Sequence, residues 1–223
     1  MRPLRLMTWN VRSLRDNREA VVRVLRESAP DVLFVQEAPR FFRAQSKLAA
    51  LAREAGLVVA AGGRPAAGVA LFTTLRLDVV EPTSQLLAKT PRLHQRGLAT
   101  AQLSLGGRSF VAGSVHLGLD APERRQHAME VVERIGQRWS VVAGDFNETS
   151  NGTAWQILSN GRQDVGVTAD LPTFPAKDPR HRIDAILAPV DWTVHAVSPF
   201  EIVDESELIA ATDHLPAIAD VLG

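Results

Sequence analysis

The chain has no cysteine and no tyrosine among its 223 residues. Without cysteine there are no disulfides and no thiolate metal sites, so any metal must be held by Asp, Glu, Asn or His. Oxygen donors of that kind favour Mg²⁺, Mn²⁺ or Ca²⁺. An excess of one charge is also missing: 25 Lys and Arg stand against 25 Asp and Glu, for a formal net charge of zero. That excludes a protein that grips long polyanions by overall charge, while a local basic rim stays open. The cations are overwhelmingly arginine, which suits bidentate phosphate contacts; in a chain so rich in Ala, Arg and Val, base composition is the favoured explanation. No apolar run approaches the ~20 residues of a membrane-spanning helix. Met1–Arg5 lacks the apolar segment of a secretory signal, and the cytoplasm is the expected compartment. Repeats, low-complexity tracts and linker compositions are absent too, so residues 1–223 read as one domain and a monomer.

What is present is a regular alternation of strand and helix patterns. Leu4–Asn10 reads as a strand, and a helix follows, capped by Asp16 or Asn17 and stopped by Pro30, with Val21, Val22 and Leu25 on one face. Asp31–Gln36 reads as a buried strand. A second helix runs from about Ala44 to Ala55, with Gly56 as its C-terminal cap. Strands are expected at Leu57–Ala61, Val69–Thr74, Leu77–Val80, Gly97–Leu105 and Ser109–His116, the last two joined through Gly106-Gly107 as a hairpin. Pro122 opens a helix to about Ile135, Trp139 leads into the strand Val141–Asp145, and a short helix spans Thr153–Leu158. A long irregular stretch rich in proline then precedes closing strands at Ile183–Ala188, Trp192–Val197 and Pro216–Leu222. Helices interleaved early and hairpins in the middle predict an α/β protein with two packed mixed sheets and helices on both outer faces.

The stretch Val141–Asn147 is the centre of the pattern. Small and β-branched residues deliver Asp145 and Asn147 two positions apart at a strand end, where an extended chain would face them together while Phe146 anchors the strand from behind. Taken alone, Gly, Asp and Asn there also describe an ordinary turn. Similar polar tips follow other apolar runs: Asn10, Glu37, His116, Asp184, and Asp213 with His214. Each has a bland reading as a turn residue, a helix-end charge or a rim histidine. Convergence of all of them would be costly unless the pocket binds a cation.

Six segments resemble, in order, the motifs of the endonuclease/exonuclease/phosphatase superfamily. They are Thr8-Trp9-Asn10-Val11, Val35-Gln36-Glu37, Gly113–Leu117, Gly144-Asp145-Phe146-Asn147, Arg182–Leu187 and Thr212–Pro216. Together they run from residue 8 to residue 216, and Arg96-Gly97 resembles a further position. The resemblance implies a four-layer α/β/β/α sandwich and Mg²⁺-dependent hydrolysis of phosphoester bonds, with Mn²⁺ as an alternative. It makes Glu37 a direct metal ligand with Asn10 and Asp213 beside it. Thr212 stands where serine is commoner and Ala185 where tyrosine is frequent; with no tyrosine in the chain, a phenol acting on the phosphate is unavailable.

Chemistry assigns the remaining roles. His214 is the expected general base, with Asp184 fixing its tautomer. Asp145 either orients the attacking water or protonates the leaving oxygen. Asn147 donates an amide hydrogen to phosphate, and His116 binds phosphate or assists the leaving group. Arg96 and Arg182, with Arg180 and His181 nearby in sequence, are expected at a positive substrate-binding rim, against the alternative of solvated surface charges. Trp155 could stack on a base but fits a core position better. The substrate is a phosphate ester: nucleic acid leads, a lipid headgroup or small soluble ester is the alternative, and a catalytically silent binding module is the competing class.

Overall fold

A computed structural model describes residues 2–136, 139–167 and 169–223. Twelve strands form two six-stranded sheets. The first contains β1 (Leu4–Asn10), β2 (Val32–Gln36), β3 (Val58–Gly63), β4 (Val69–Thr73), β11 (Thr193–Val197) and β12 (Ala217–Leu222), in the order β11-β12-β1-β2-β4-β3. The second contains β5 (Asp78–Leu86), β6 (Gly97–Leu105), β7 (Arg108–His116), β8 (Ser140–Asp145), β9 (Arg162–Asp164) and β10 (Asp184–Pro189), in the order β5-β6-β7-β8-β10-β9. Each sheet is mixed, because β1–β2 and β7–β8 pair in parallel and the other pairings are antiparallel. A helix carries each parallel crossover, α1 (Arg18–Ser28) in the first sheet and α3 (Ala121–Ile135) in the second. The expected four-layer sandwich is the fold observed.

Parity along the strands builds the layers. Leu4, Leu6, Val32, Phe34, Val141, Ala143, Ile186 and Ala188 meet in the core between the sheets. Their neighbours Met7, Trp9, Leu33 and Val35 turn the other way, onto α1, α2 (Ala44–Glu54) and α5 (Glu205–Ala211). Val142 and Leu187 turn onto α3 and α4 (Thr153–Ser159). Strands buried on both faces therefore read as continuous apolar runs. Among the described residues no helix is long and apolar enough to cross a membrane.

Most elements match the sequence reading to within a residue or two, and Asn17 is the cap of α1, its side chain accepting from the Ala20 amide. Three differ. The strand expected to end at Val80 continues to Leu86 across a register shift between Val80 and Thr83, where Pro82 sits on an edge strand that needs no amide from it. Two elements, β9 and α5, were not expected at all. Trp155 is core, packed edge-on against Phe146 with centroids 5.1 Å apart.

Candidate active site

Strand parity also builds the site. Asn10, His116, Asp145 and Asp184 share the parity of the inter-sheet core residues on their own strands, so each side chain enters the gap between the sheets where the apolar filling stops. Register aligns them: Asp145 lies opposite His116 on one side and opposite Asp184 on the other. Below this tier, Thr8, Gln36 and Ser114 form a buried polar layer. Thr8 Oγ1 donates to Gln36 Oε1 at 3.2 Å, and Gln36 Nε2 donates across the sheets to Ser114 Oγ at 3.3 Å.

Asp145 Oδ2 is the hub. Asn10 Nδ2 donates to it at 3.0 Å, His116 Nε2 lies 3.3 Å away, and His214 Nε2 lies at 3.8 Å. Its other oxygen accepts from the Asn147 backbone amide at 3.0 Å. Asn147 reaches the site differently from the expectation. The strand ends at Asp145, and Asn147 has φ 53, so a side-chain-to-backbone turn brings the two residues together and strand alternation does not. Asn147 Nδ2 donates to the Leu117 carbonyl at 3.0 Å, which leaves one amide hydrogen for a ligand. Phe146 is fully buried behind the strand, as expected.

His214 sits on the loop after α5. The Trp9 indole donates to the His214 carbonyl at 2.8 Å, Thr212 Oγ1 donates to the Asn10 carbonyl at 3.1 Å, and the Leu215 amide donates to the Thr173 carbonyl at 2.7 Å. The ring of Phe174 packs 4.8 Å from the imidazole. His214 Nδ1 is 2.9 Å from Asp184 Oδ2, which leaves Nε2 facing Asp145.

Charge is crowded here. Burial works to lower the His214 pKa, but the charge and hydrogen bond of Asp184, with Asp145 and Asp213 behind it, raise it to about 9. Burial and the charge of Asp184 push Asp145 up to about 7, against His214 and the hydrogen bonds from Asn10 and Asn147. Burial, then Arg96 and His214, hold His116 well below the usual imidazole range, with its Nε2 3.3 Å from Asp145 Oδ2. Arg96 is lowered by burial, with Asp145 and Glu37 pulling it back. Its guanidinium makes no hydrogen bond among the described residues, and Nε is buried without a partner. A partly buried cation without a hydrogen-bond partner is suited to an anion.

Glu37 follows β2 in a left-handed conformation, with φ 51, and its Oε1 accepts from Asn10 Nδ2 at 3.3 Å. Asp213 is directed elsewhere. Its Oδ2 lies 3.3 Å from Nε of Arg12, which also bonds Asp16, and its Oδ1 accepts from Thr212. Asp145, Asp184 and His214 place one ligand atom each within 4.8 Å of one another, a buried group able to hold a cation. With the Asp184–His214 bond already made, that trio is better suited to moving protons. Asn10, Glu37 and Asp213 supply only oxygen donors, Glu37 keeps one oxygen uncommitted, and such a set fits Mg²⁺ or Mn²⁺.

The positive rim divides. Arg96 joins the site, whereas Arg182 is committed away from it. Arg182 Nη1 and Nη2 bond Asp164 at 3.0 and 2.9 Å, Nε bonds Asp170 at 3.0 Å, and the guanidinium lies 4.8 Å over the Trp155 ring. Arg180 pairs with Asp178 at the surface. Arg12, Arg40 and Phe174 were not singled out in the sequence. Arg12 directly follows the Trp9-Asn10-Val11 motif, and Phe174 sits between Thr173 and Pro175, a proline-rich context that reads only as loop.

A model described as the Endonuclease/Exonuclease/phosphatase family matches residues 7–214. No curated protein matches the chain. Solved structures share its fold. An endonuclease/exonuclease/phosphatase from Bacteroides vulgatus is 22% identical with a TM-score of 0.78, over 100% of this chain and 99% of the other. The mannosyl-6-phosphatase Bt3783 of Bacteroides thetaiotaomicron is 18% identical with a TM-score of 0.79, over 99% and 100%. The catalytic domain of human Nocturnin is 19% identical with a TM-score of 0.70, over 99% and 93%.

Proposed function

Because the chain belongs to the endonuclease/exonuclease/phosphatase family, whose members are phosphoesterases, we propose that it is a Mg²⁺-dependent hydrolase of phosphodiesters, with nucleic acid as the leading substrate. The observation that carries this reading is the convergence of Asn10, His116 and His214 on one oxygen of Asp145, backed by the Asp184–His214 bond. The attacking water is held between His214 Nε2 and Asp145 Oδ2. Its proton passes to this pair as the new P–O bond forms and the ester P–O bond breaks, the leaving oxygen taking a proton from solvent, while Asp184 keeps the other imidazole nitrogen protonated and balances the imidazolium charge. The free amide hydrogen of Asn147, the guanidinium of Arg96 and the imidazole of His116 face the phosphoryl oxygens, where negative charge grows in the transition state. Glu37, Asn10 and Asp213 would hold the metal, Asp213 exchanging its contact with Arg12 for it. When bound, Mg²⁺ supplies positive charge to the phosphoryl and leaving oxygens and offsets the carboxylate field that keeps His214 protonated. The exposed Phe41 and Phe42, which follow Arg40 in sequence, are aromatic surface suited to stacking on a nucleobase.

A second reading, hydrolysis of a small soluble phosphate ester, is favoured by the near-complete burial of His116, Asp145 and His214 and by the zero net charge. A substrate panel separates the two. Plasmid DNA, RNA, bis(p-nitrophenyl) phosphate, p-nitrophenyl phosphate, a phospholipid and a sugar phosphate are each incubated with Mg²⁺, Mn²⁺ or EDTA. Diester cleavage is expected with metal, abolished by EDTA, and lowered by about 10²–10³ in Asp184→Asn, which leaves the imidazole without its orienting charge. Cleavage of monoesters alone would establish the second reading. No hydrolysis of any member by pure protein with either metal would leave a silent module on this fold.

A further inference from the structure

Arg40 is a cation near the site that the proposed chemistry does not use. It stands three residues beyond Glu37 and pairs with no carboxylate among the described residues. Its hydrogen bond runs from Nη1 to the Ala67 carbonyl at 3.3 Å, so Nε and Nη2 keep their donors free.

The backbone fixes where this side chain lies. Residues 63–68 form a turn in which the Gly68 amide donates to the Gly63 carbonyl at 2.9 Å, and the Ala38 amide donates to the Gly68 carbonyl at 2.7 Å. A methyl group on Gly68 would meet Arg40 Cδ and Cγ at 2.8 and 2.9 Å, so the arginine stem lies across a glycine that admits it. The same turn abuts the other unpaired cation. A methyl group on Gly97, the neighbour of Arg96, would run into the Ala66 backbone. Arg40 and the Arg96-Gly97 pair therefore lean on three consecutive residues, Ala66, Ala67 and Gly68.

The two guanidiniums also lie within each other's field. Burial is the main cause that lowers Arg96, and Arg40 adds to it; burial, then Arg96, His214 and Arg40, lower His116. Like charges held together without a counter-ion repel, and an anion relieves them. The scissile phosphate already meets Arg96, Asn147 and His116 in the proposed mechanism, which leaves the charge of Arg40 for a second anion.

We propose that Arg40 forms a second phosphate subsite, holding a phosphate that neighbours the scissile ester. The preferred substrate then carries two phosphates, either successive linkages of a nucleotide chain or one linkage and a terminal phosphate. Binding of the second phosphate stands on the placement of Arg40 and Arg96; the preference in turnover rests on the phosphoesterase reading.

Thymidine 3′,5′-bisphosphate and the two thymidine monophosphates serve as binding probes, titrated by calorimetry into the whole chain with EDTA. The bisphosphate is expected to bind about tenfold more tightly than the better monophosphate, as one hydrogen bond from a charged group supplies. Arg40→Gln keeps the Cγ and Cδ that rest on Gly68 but removes the charge, and the advantage should disappear. Arg108→Gln removes the same charge at the opposite end of β7 from His116 and should retain the advantage. With Mg²⁺, KM is compared among the dinucleotide TpT, its forms phosphorylated at either end, and the trinucleotide TpTpT. A lower KM for the trinucleotide alone assigns the subsite to a successive linkage, and a lower KM for an end-phosphorylated dinucleotide assigns it to a terminal phosphate. Equal wild-type affinity for bisphosphate and monophosphate overturns the proposal, as does an advantage that survives in Arg40→Gln. Diester cleavage without a bisphosphate advantage removes the subsite and leaves the phosphoesterase reading intact. A bisphosphate advantage that depends on Arg40, in a protein that hydrolyses no phosphoester, refutes the catalytic reading and leaves the subsite standing.

Discussion

Arg96 carries the sharpest conflict between stability and function. Its guanidinium is partly buried, draws compensation from the field of Asp145, Glu37 and Glu123, and has no hydrogen-bonded partner among the described residues. Replacing a poorly compensated, partly buried cation with an apolar side chain of similar length commonly stabilises a protein. Arg96→Met should therefore raise the midpoint of thermal unfolding by a few degrees, since ~1 kcal/mol moves it by ~2–4 °C in a chain of this size. The same change should raise KM for a phosphodiester more than it lowers kcat. An unfolding midpoint that falls would show that Arg96 already has a structural partner. At this scale the motifs were legible because most of them end apolar runs; parity carries Asn10, His116, Asp145 and Asp184 into one gap, while Glu37, Asn147 and His214 reach it on turns and loops. The role of Arg182 was not legible. Its partners Asp164 and Asp170 are 18 and 12 residues away in a stretch with no periodicity, and nothing in Arg-Ile-Asp distinguishes a guanidinium facing substrate from one tied to carboxylates.

At the scale of elements, the parallel pair β7–β8 holds the site together, and Gly144 is its tightest point. A methyl group on Gly144 would meet the Val115 backbone carbonyl, which cannot swing aside as a flexible side chain would. Gly144→Ala should therefore push β8 off β7 and misplace Asp145 relative to His116, the residue opposite it in register. The expected cost is on the order of 1–3 kcal/mol, read as a lower denaturant midpoint, with a loss of turnover beyond what the remaining folded fraction explains. Full activity at unchanged stability would contradict this packing. The elements that escaped the sequence reading did so for identifiable reasons. Arg-Gln-Asp in β9 has neither length nor strand propensity, and pairing with β10 alone makes it a strand. Helix α5 did carry a signal, with Asp204 followed by Glu205 and Glu207 in the first turn and Leu208 and Ala211 on the buried face, but two turns make a weak periodic pattern.

Across the whole molecule, net neutrality conceals an internal charge imbalance that pH can expose. In metal-free protein, kept so with EDTA, His214 holds its proton up to about 9, whereas an unfolded histidine releases it near ~6.5. The folded state thus binds that proton more tightly. The resulting stability is fully present below pH ~6.5 and is lost as pH rises through about 9. Asp145, raised to about 7, acts in the same direction over a lower window, from the ordinary carboxylate range near ~4 up to about 7. His116, held neutral, opposes both, because the folded state gains as pH rises through the ordinary imidazole range. A comparison of wild type with His214→Asn isolates the first contribution. The stability difference between them should shrink by up to about 3 kcal/mol between pH 6.5 and 9.5, since 1 pKa unit corresponds to ~1.4 kcal/mol. Mg²⁺ should flatten the wild-type curve, because a cation among Glu37, Asn10 and Asp213 relieves the carboxylate field that holds the proton. A wild-type minus variant difference that stays constant across this range would mean that His214 is not the protonated partner of Asp184 in the resting site. The water-activating pair would then have to be sought in Asp145 and His116.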